Sequence, residues 1–567
     1  MTREAATIDR QWWKEAVVYQ IYPRSFNDTD GDGVGDIPGI IEKVDYLEDL
    51  GVEVVWLCPV YDSPQADMGY DIRDYRAIDD QFGDLEDWET LLDELHDRDI
   101  KLIMDLVVNH TSDEHEWFQQ SRRREGKYEE YYHWRDGDPG EPPNNWTSFF
   151  GGPAWSYDEE RGQWYLHLFD EKQPDLNWRN PDVRADVKEM ITWWLEKGID
   201  GFRMDVINLL SKVEGLPNGD PDPKRPDWPI GNEYFVNGPR IHEYLRGLYD
   251  EVFSNYDVMT VGEMIGLTPQ TAGQFLGPDA DGLNMAIHFD HVNVDYQRGN
   301  RWSIGEWNLT DLKEIFEAWQ TEVAEADWEA IYWENHDQPR SVSRFGDVEE
   351  YHFESATLLA TFLMAHRGTP YVYQGEEIGM TNADFETLEE CRDVATINQV
   401  EMAIESGQID DYEEIRPIVN YRSRDNGRTP VQWSSEEHAG FTDGEPWIKV
   451  NQNYPQINVA DQRGTAGSIW EYYRALIDLR NDEDVLIYGE YDLLRPEDEQ
   501  LYAIVRTLGD ERALVVLNWT DEANECDLSE DVGQSSGSVM IANDDDVGTD
   551  LAALELAPYD ARIYRLS

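Results

Sequence analysis

Eight short apolar runs, separated by stretches of helical periodicity, constrain the fold of this chain more than any other feature of its sequence. They occupy residues 17–23, 52–57, 101–108, 201–205, 258–261, 283–289, 330–333 and 370–373. Between them lie segments such as residues 183–195, whose apolar residues recur at helical spacing. Strands that alternate with helices favour a parallel sheet with crossover helices, and eight repeats predict a (β/α)8 TIM barrel of the α/β class.

Two long segments interrupt this alternation, and the C-terminal part follows a different pattern. Residues 111–177 are rich in Trp, Tyr, Gly, Pro and Asn, which predicts a small inserted lid domain after the third strand. Residues 381–435 form a second insertion with many polar and charged residues. The barrel is therefore expected to comprise residues 1–110 and 178–485. From residue 486 to 567, short strands between turns predict an all-β sandwich domain.

The charge balance argues against nucleic acid and anionic membranes as partners and indicates a salt-rich environment. The chain has 119 acidic and 46 basic residues, a formal net charge of -73. A surface this acidic repels nucleic acid and anionic membranes, so neither is an expected partner. The acidic residues also occur in stretches of helical spacing such as residues 85–95. Because multimolar salt shortens the Debye length to below ~3 Å and screens the repulsion, the composition predicts adaptation to a salt-rich cytoplasm, as in halophilic microbes.

The N-terminal segment and the cysteines predict a cytoplasmic protein. Residues 1–10 contain no apolar stretch after their charges, so no signal peptide is expected. No run approaches the ~18–20 apolar residues of a membrane span. Cys58, Cys391 and Cys526 are far apart and show neither a disulfide framework nor metal-ligand spacing, which fits a reducing compartment. We expect a monomer or a small homo-oligomer.

Three of the apolar runs lead into a carboxylate. Asp205 closes the fourth run, Glu263 follows the fifth and Asp337 follows the seventh. Barrels of this kind carry their active sites at the C-terminal ends of the strands, so the three groups are expected to share one site. Cleavage of a glycosidic bond needs two carboxyl groups of unequal acidity. The pattern therefore favours chemistry on a sugar.

Residues near these carboxylates support this interpretation. Asp105 and His110 end the third run and are expected at the same edge of the barrel. Arg203 stands two residues before Asp205, and on a strand both side chains point to the same face. The adjacent guanidinium is expected to lower the pKa of Asp205 and keep it ionised, as a nucleophile requires. Repulsion from the other carboxylates favours the protonated, acid form of Glu263.

Taken singly, each segment is weak evidence, because an Asp at the end of a strand is more often a turn residue or a cap. Four of them in order, on the expected strands, resemble the core regions of the α-amylase superfamily of retaining glycoside hydrolases. These segments are residues 105–110 (DLVVNH), 201–205 (GFRMD), 261–263 (VGE) and 335–337 (NHD). The resemblance covers essentially the whole chain.

Further segments resemble the oligo-1,6-glucosidase and α-glucosidase branch of this superfamily. They are residues 35–39 (GDIPG), 173–177 (QPDLN), 335–340 (NHDQPR), 375–380 (GEEIGM) and 423–430 (SRDNGRTP). The resemblance implies an exo-acting retaining α-glucosidase that releases glucose from the non-reducing end of short α-glucosides. It also implies a covalent glucosyl-enzyme intermediate and no organic cofactor.

The resemblance implies roles for individual residues. Asp205 would be the nucleophile, Glu263 the general acid and base, and Asp337 the stabiliser of the transition state. The residues implied to bind the substrate are Asp67, Tyr70, His110, Phe150, Phe169, Gln173, Arg203, His336 and Arg424. Met68 replaces the Asn that the family usually has beside Asp67.

Other activities remain as alternatives to this expectation. They are an α-1,4-preferring maltase that also transfers glucose, a sucrose isomerase and a glucosyltransferase. Residues 338–345, after Asp337, lack an Arg-rich isomerase signature and resemble the hydrolases. A binding-only relative, such as the heavy chain of an amino-acid transporter, would carry a membrane anchor and can lose the catalytic carboxylates, all of which are present here.

Val206, directly after Asp205, bears on which linkage is cleaved. In the resembled family, Val at this position is typical of enzymes that cleave α-1,6 bonds, and a smaller or polar residue of α-1,4 enzymes. A branched side chain beside the nucleophile narrows the entry for the leaving sugar, although one methyl group contributes only ~1–3 kcal/mol of discrimination. The sequence therefore predicts a preference for α-1,6 linkages of the isomaltose type.

Residues 28–36 (DTDGDGVGD) alternate Asp with small residues. This spacing lets carboxylates converge on a hard cation, much as in the first part of an EF-hand loop, while the glycines permit the turn. A similar loop in the resembled family binds Ca²⁺ or Mg²⁺ structurally. The predicted ligands are Asp28, Asp30, Asp32, Asp36 and the carbonyl of Val34. The alternative, in a chain so rich in Asp, is a solvated surface cluster.

Overall fold

The computed structural model describes residue 8 and residues 10–223, 228–296, 303–323, 328–544 and 547–567. Most of the N-terminal segment on which the signal-peptide prediction rests lies outside these residues. Within the described part of the chain, no helix is long and apolar enough to cross a membrane.

A closed parallel barrel forms the body of the molecule, which confirms the predicted fold class. Its eight strands are Val18–Ile21, Val54–Leu57, Lys101–Leu106, Gly201–Met204, Met259–Glu263, Met285–Ile287, Ala330–Tyr332 and Thr369–Tyr373. They lie side by side in chain order, and the eighth strand pairs with the first. A parallel bridge from Ala286 to Glu329 joins the sixth strand to the seventh and closes the barrel.

The strands are buried on both faces. Apart from Lys101, every residue in them is buried, which is why they occur in the sequence as continuous apolar runs and not as alternating patterns. The charged exceptions in the interior, Asp105, Arg203 and Glu263, all lie on the third to fifth strands. Three charged side chains on adjacent strands mark the end of the barrel where the chemistry is expected.

Helices surround the barrel on its outer side. The longer ones are Leu85–His96, Pro181–Lys197, Ile241–Glu251, Leu309–Glu322, His352–Ala365 and Ile469–Asp482. The shorter ones are Trp12–Glu15, Ile37–Ile41, Val44–Leu50, Pro269–Ala272, Ser341–Phe345, Val459–Gln462 and Asp484–Tyr488. Pro181–Lys197 illustrates how the sequence sets their ends, because Asn180 caps its first turn and Gly198 closes it with a left-handed backbone, φ 105°.

The lid follows the third strand, as predicted. It contains the helix Glu116–Arg122 and a three-stranded sheet, with Gln163–Leu166 between Trp134–Arg135 and Trp155–Asp158. Its apolar core is continuous with side chains from the segment after the fourth barrel strand. The members of this lid cluster are Trp146, Ala154, Trp155, Trp164, Leu166, Leu168, Val206, Leu209, Leu216 and Phe235. The lid is therefore packed directly on the residues that follow Asp205.

The second insertion is helical. It contains the helices Val394–Glu405, Tyr412–Arg422 and Asp425–Arg428. An apolar cluster that includes Phe385, Val400 and Val419 holds it together. The short last helix and the residue before it carry Arg428 and Arg424 to the end of the barrel.

The C-terminal part is an all-β domain with one helical turn, Ser529–Val532. Its five-stranded antiparallel sheet has the order Glu490–Leu494, Leu501–Leu508, Glu511–Asn518, Ala561–Leu566, Ser538–Ala542. A second sheet pairs Asn524–Cys526 with Leu554–Leu556. Leucines from both sheets, among them Leu501, Leu514 and Leu554, form a shared apolar core. The opposite face of the large sheet packs on the barrel, where Tyr502 Oη lies 2.7 Å from His366 Nε2.

Candidate active site

One guanidinium joins three carboxylates at the ends of the third, fourth and fifth strands. Arg203 Nη1 lies 2.7 Å from Asp105 Oδ1 and 2.6 Å from Asp205 Oδ1, and Nη2 lies 2.9 Å from Glu263 Oε2. Trp56 Nε1 donates to the other oxygen of Asp105 at 2.8 Å. All four charged side chains are buried. One positive charge therefore faces three carboxylates, an arrangement that favours the retention of protons in the cluster.

Burial dominates the acidity of this cluster. Burial raises the pKa of Asp205 well above its ordinary range. The charge of Arg203 lowers this pKa, and the charges of Glu263 and Asp105 raise it further. Burial also raises the pKa of Asp105 to about 6. The expectation that Arg203 would hold the pKa of Asp205 low was wrong, because desolvation of a fully enclosed carboxylate outweighs one guanidinium. A nucleophilic Asp205 consequently requires that the proton of the cluster reside on a neighbouring carboxyl group.

Asp337 has the opposite environment. Its Oδ1 accepts hydrogen bonds from Arg424 Nη1 and Arg428 Nη2, both at 2.9 Å. Burial raises its pKa, but His336, which is charged only at low pH, and Arg424 and Arg428 outweigh burial and bring the pKa well below its usual range. The side chain remains 27% exposed. Asp337 is therefore an ionised carboxylate that faces the open end of the site.

The two arginines come from the second insertion and are fixed by it. Asp393 accepts from Arg424 Nε at 2.9 Å and from its Nη2 at 2.6 Å. Arg428 Nε donates to the carbonyl of His336 at 3.0 Å. The guanidinium of Arg424 also lies 5.2 Å from the centre of the Phe150 ring, so lid and insertion meet beside Asp337.

His336 is held on both nitrogens. Its Nδ1 lies 2.7 Å from Gln20 Nε2 and its Nε2 lies 2.7 Å from Tyr70 Oη. The rings of Tyr70 and His336 stack at a centroid distance of 5.3 Å. Burial lowers the pKa of His336 to about 3, so the imidazole is neutral. With Gln20 as donor to Nδ1, the proton of the neutral ring lies on Nε2.

Three more of the predicted residues form a buried polar group on the side of the lid. Gln173 Nε2 lies 3.1 Å from Asp67 Oδ2 and 3.2 Å from His110 Nε2. Burial raises the pKa of Asp67 to about 7, against the charge of Arg424, and lowers the pKa of His110 to about 4. The rings of His110 and Phe169 are 5.3 Å apart. These groups present hydrogen-bonding atoms beside aromatic faces, the combination that a sugar ring needs.

The remaining aromatic residue, Phe150, lies against Phe169 with ring centroids 5.6 Å apart. Beside Asp67, Met68 has a left-handed backbone, φ 50°. This conformation suits Asn better than Met. Arg24 Nη1 lies 3.2 Å from the sulfur of Met68.

Val206 has an unusual backbone. Its φ of 36° and ψ of 40° are left-handed, a region that a β-branched residue rarely adopts and that costs about 1–3 kcal/mol. Its amide N donates to Glu263 Oε2 at 3.0 Å. The side chain is buried in the lid cluster. Val206 thus contacts both the lid and the carboxyl group opposite Asp205.

Several residues at the site were not predicted. They are Gln20, Trp56, Asp175, Lys212, Asp393, Arg428 and Tyr22, whose ring stacks on that of His336 at a centroid distance of 5.8 Å. Lys212 is buried with its Nζ 2.6 Å from Asp175 and 2.7 Å from Asn109. Asp175 and Arg428 lie within segments that carried the family resemblance, so a signal for them was present. Gln20 lies within an apolar strand and Lys212 lies outside every segment that carried the resemblance, so neither gives such a signal.

The Asp-rich loop brings three of its carboxylates together. The ligand atoms of Asp28, Asp30 and Asp36 lie within 4.8 Å of one another. Asp32 is not part of this group, and its Oδ1 accepts from the amide of Val34 at 2.8 Å. A donor set of carboxylate oxygens fits a hard cation such as Ca²⁺ or Mg²⁺. The loop follows the first strand and shares none of the residues of the carboxylate cluster around Arg203.

The chain matches two families of known domains. Residues 20–489 match the family described as "Alpha amylase, catalytic domain". Residues 491–563 match the family described as "Maltogenic Amylase, C-terminal domain". The division between the two matches falls at the start of the five-stranded sheet.

Full-length relatives and solved structures are also similar. An oligo-1,6-glucosidase from Parageobacillus thermoglucosidasius is 50% identical over 561 residues, which cover 99% of this chain and 100% of the relative. A crystal structure of Bacillus licheniformis trehalose-6-phosphate hydrolase superposes with a TM-score of 0.92 at 46% identity, over 98% of this chain and 100% of that one. A mutant isomaltulose synthase from Erwinia rhapontici, in complex with its natural substrate sucrose, superposes with a TM-score of 0.95 at 42% identity. The match covers 99% of this chain and 100% of that one.

Proposed function

This chain belongs to the α-amylase family, and from that premise we propose that it is an exo-acting retaining α-glucosidase with a preference for α-1,6 linkages. The observation that carries the proposal is the guanidinium of Arg203, which holds Asp205 and Glu263 together. Full-length relatives named oligo-1,6-glucosidase support the linkage and the substrate class, short α-glucosides.

The proposed reaction is a double displacement. Asp205 attacks the anomeric carbon while Glu263 gives its proton to the glycosidic oxygen, so the C–O bond to the leaving sugar breaks. Water, deprotonated by Glu263, then hydrolyses the glucosyl-Asp205 ester from the opposite face. Two carboxylates that bind the same guanidinium lie close together, which favours direct attack over a water held between them. The released glucose therefore keeps the α configuration.

The other residues are proposed to hold the terminal glucosyl unit. Asp337, kept ionised by two arginines, is suited to bind sugar hydroxyls and to stabilise positive charge at the anomeric carbon. Asp67, His110 and His336 offer further partners for hydroxyls. Stacked aromatic rings beside them, such as Tyr70, suit the apolar face of glucose. Enclosure of one terminal unit by lid and insertion favours attack from the non-reducing end.

Product analysis tests this proposal. Incubation with isomaltose, maltose, sucrose and p-nitrophenyl α-glucoside, followed by NMR of the anomeric protons, is expected to show α-glucose first and isomaltose as the better disaccharide. Initial release of β-glucose would contradict retention. Formation of isomaltulose or trehalulose from sucrose, without net hydrolysis, would instead support the isomerase alternative suggested by the structural neighbours.

Val206→Ala tests the proposed linkage preference. Removal of two methyl groups beside the nucleophile widens the entry for the leaving sugar, so the ratio of kcat/KM for isomaltose over maltose is expected to fall by about tenfold, the scale of one or two methyl contacts. Steady-state kinetics on both disaccharides measure this ratio. If the wild type strongly prefers maltose, the rule relating Val206 to linkage does not apply to this enzyme.

We further propose that the Asp28–Asp36 loop binds Ca²⁺ or Mg²⁺ and stabilises the fold. The convergence of Asp28, Asp30 and Asp36 supports it. The loop also connects parts of the chain that are far apart, since Asp28 N donates to the carbonyl of Phe441 at 3.0 Å. A cation there would neutralise repulsion among the three carboxylates and hold the connection. Asp32 and the Val34 carbonyl remain the predicted additional ligands.

Asp30→Ala is the variant to test the metal proposal, because Asp30 is exposed. In dilute buffer, added Ca²⁺ or Mg²⁺ is expected to raise the thermal midpoint of the wild type, since binding at a hundredfold excess over Kd contributes about 2.7 kcal/mol. The rise should be smaller in Asp30→Ala. The exposed helix residue Asp93 provides a matched control, and an equal rise in Asp93→Ala and Asp30→Ala would refute the site.

A further inference from the structure

The strained backbone of Val206 lies between the proposed nucleophile and the proposed acid. Left-handed backbone at a β-branched residue is rare and persists only where the surroundings hold it. Asp205 immediately precedes it, and the short helical turn Ile207–Leu209 immediately follows. The strain therefore occurs at the residue directly after the nucleophile.

Packing of the side chain holds this conformation. The isopropyl group is buried in the lid cluster, with Trp146, Leu168 and Phe235 among its members. On the other side of the residue, the Val206 carbonyl accepts from Leu209 N at 2.9 Å. The amide is thus fixed by apolar contacts with the lid and by the turn that follows.

The amide of Val206 determines the orientation of Glu263. It donates to Oε2 at 3.0 Å, and Arg203 Nη2 lies 2.9 Å from the same oxygen. An oxygen that accepts from two N–H donors has little room for a proton of its own. The acidic proton of Glu263 consequently belongs on Oε1, the oxygen to which these two donors are not directed.

We propose that Val206 is a positioning residue for the general acid, whose left-handed amide, held by the lid cluster, keeps the proton of Glu263 on Oε1. From there the proton moves to the glycosidic oxygen as the bond to the leaving sugar breaks. This inference rests on the proposed function. It assigns the backbone amide of Val206 a role in addition to the steric effect of its side chain on the leaving sugar. A purely steric Val206 would affect only which leaving sugar fits.

Val206→Gly separates the two roles. Glycine keeps the amide and can adopt the left-handed backbone, but it populates other conformations as readily and lacks the side chain that packs in the lid cluster, so the N–H is no longer fixed on Oε2. Substrates that differ in their need for an acid then report the consequence. Isomaltose and maltose release a sugar alkoxide that must be protonated, whereas α-glucosyl fluoride releases fluoride without a proton. The quantity to measure is kcat/KM, because it reports the steps up to cleavage of the glycosidic bond and does not include hydrolysis of the intermediate.

The expected result is a fall of about tenfold or more in kcat/KM for both disaccharides, a part of the 10²–10⁴-fold that general acid catalysis contributes. The fall for α-glucosyl fluoride should be within about threefold. Asp99→Gly provides a control, since Asp99 is an exposed left-handed residue, φ 58°, that precedes the third barrel strand and lies outside the site. It should leave all three values near those of the wild type.

Two outcomes would overturn the inference. An equal fall for the fluoride and the disaccharides would show that Val206→Gly damages the site as a whole, and a fall for isomaltose with a rise for maltose would show that only bulk matters. Failure of the proposed function is distinguishable from both, because the wild type itself would then fail to hydrolyse the two disaccharides.

Discussion

Asp205→Asn is expected to lower kcat/KM for p-nitrophenyl α-glucoside by about 10⁴-fold or more, the scale on which loss of a catalytic nucleophile acts. The amide cannot form the glucosyl ester, and Asp105, the other carboxylate beside Arg203, has both oxygens bound, by Arg203 and by Trp56. The fold should persist, because Asn can still accept from Arg203 and the substitution removes a buried charge from a cluster with three carboxylates. Initial rates and a thermal melt measure the two effects.

Added azide distinguishes the nucleophile from the acid. In Asp205→Ala, azide attacks the α-glucoside from the face of the missing carboxylate and should give β-glucosyl azide. In Glu263→Gln, azide attacks the glucosyl-Asp205 intermediate from the other face and should give α-glucosyl azide. The same azide anomer from both variants, or unimpaired turnover in Asp205→Asn, would contradict the assignment of roles.

The second large effect is expected with salt. With a net charge of -73, the folded chain concentrates repulsion that the expanded unfolded chain largely escapes. The helix Leu85–His96 illustrates the surface, because Glu86, Glu89 and Asp93 are exposed while Trp88 and Leu91 are buried. Screening at about 2–4 M KCl removes most of this repulsion. Each kcal/mol of folding free energy regained raises the thermal midpoint by about 2–4 °C in domains of 150–250 residues. Several kcal/mol should therefore raise the midpoint by about 10 °C or more.

Thermal melts and activity across a KCl series test the salt prediction, with sorbitol at matched osmolality as the uncharged control. Sorbitol strengthens apolar burial but screens no charge, so it should reproduce only a part of the rise. A midpoint that stays flat from dilute buffer to 4 M KCl would refute adaptation to high salt. It would also weaken the proposed salt-rich cytoplasmic origin.

The barrel could be predicted because burial on both faces leaves a strong pattern in the sequence. Strands such as Val54–Leu57 and Thr369–Tyr373 are enclosed by neighbours and helices, so each occurs as an uninterrupted apolar run. The lid and the C-terminal domain could be predicted from the loss of that pattern. The exact ends of the strands could not be predicted from the sequence, because residues at these ends, such as Met285, are fixed by pairing with distant residues.

The site could be predicted only where its residues follow a strand or belong to a recognisable segment. Gln20 contacts His336 across 316 residues of sequence, and nothing local indicates that pair. The left-handed backbone of Val206 is also inaccessible, because β-branched residues usually avoid it. The acidity of Asp205 was misjudged for a related reason. Sequence spacing gave the neighbouring charge of Arg203, but the extent of burial depends on the whole fold.

The excess of carboxylates over guanidinium groups around Asp205 has a consequence for inhibition. A neutral sugar gains nothing from this negative potential until its anomeric carbon becomes positively charged in the transition state. A glucose-shaped ring that carries a protonated nitrogen near that carbon has the charge in its ground state. Ammonium analogues of the sugar should therefore bind far more tightly than glucose, and their affinity should follow the ionisation of the amine.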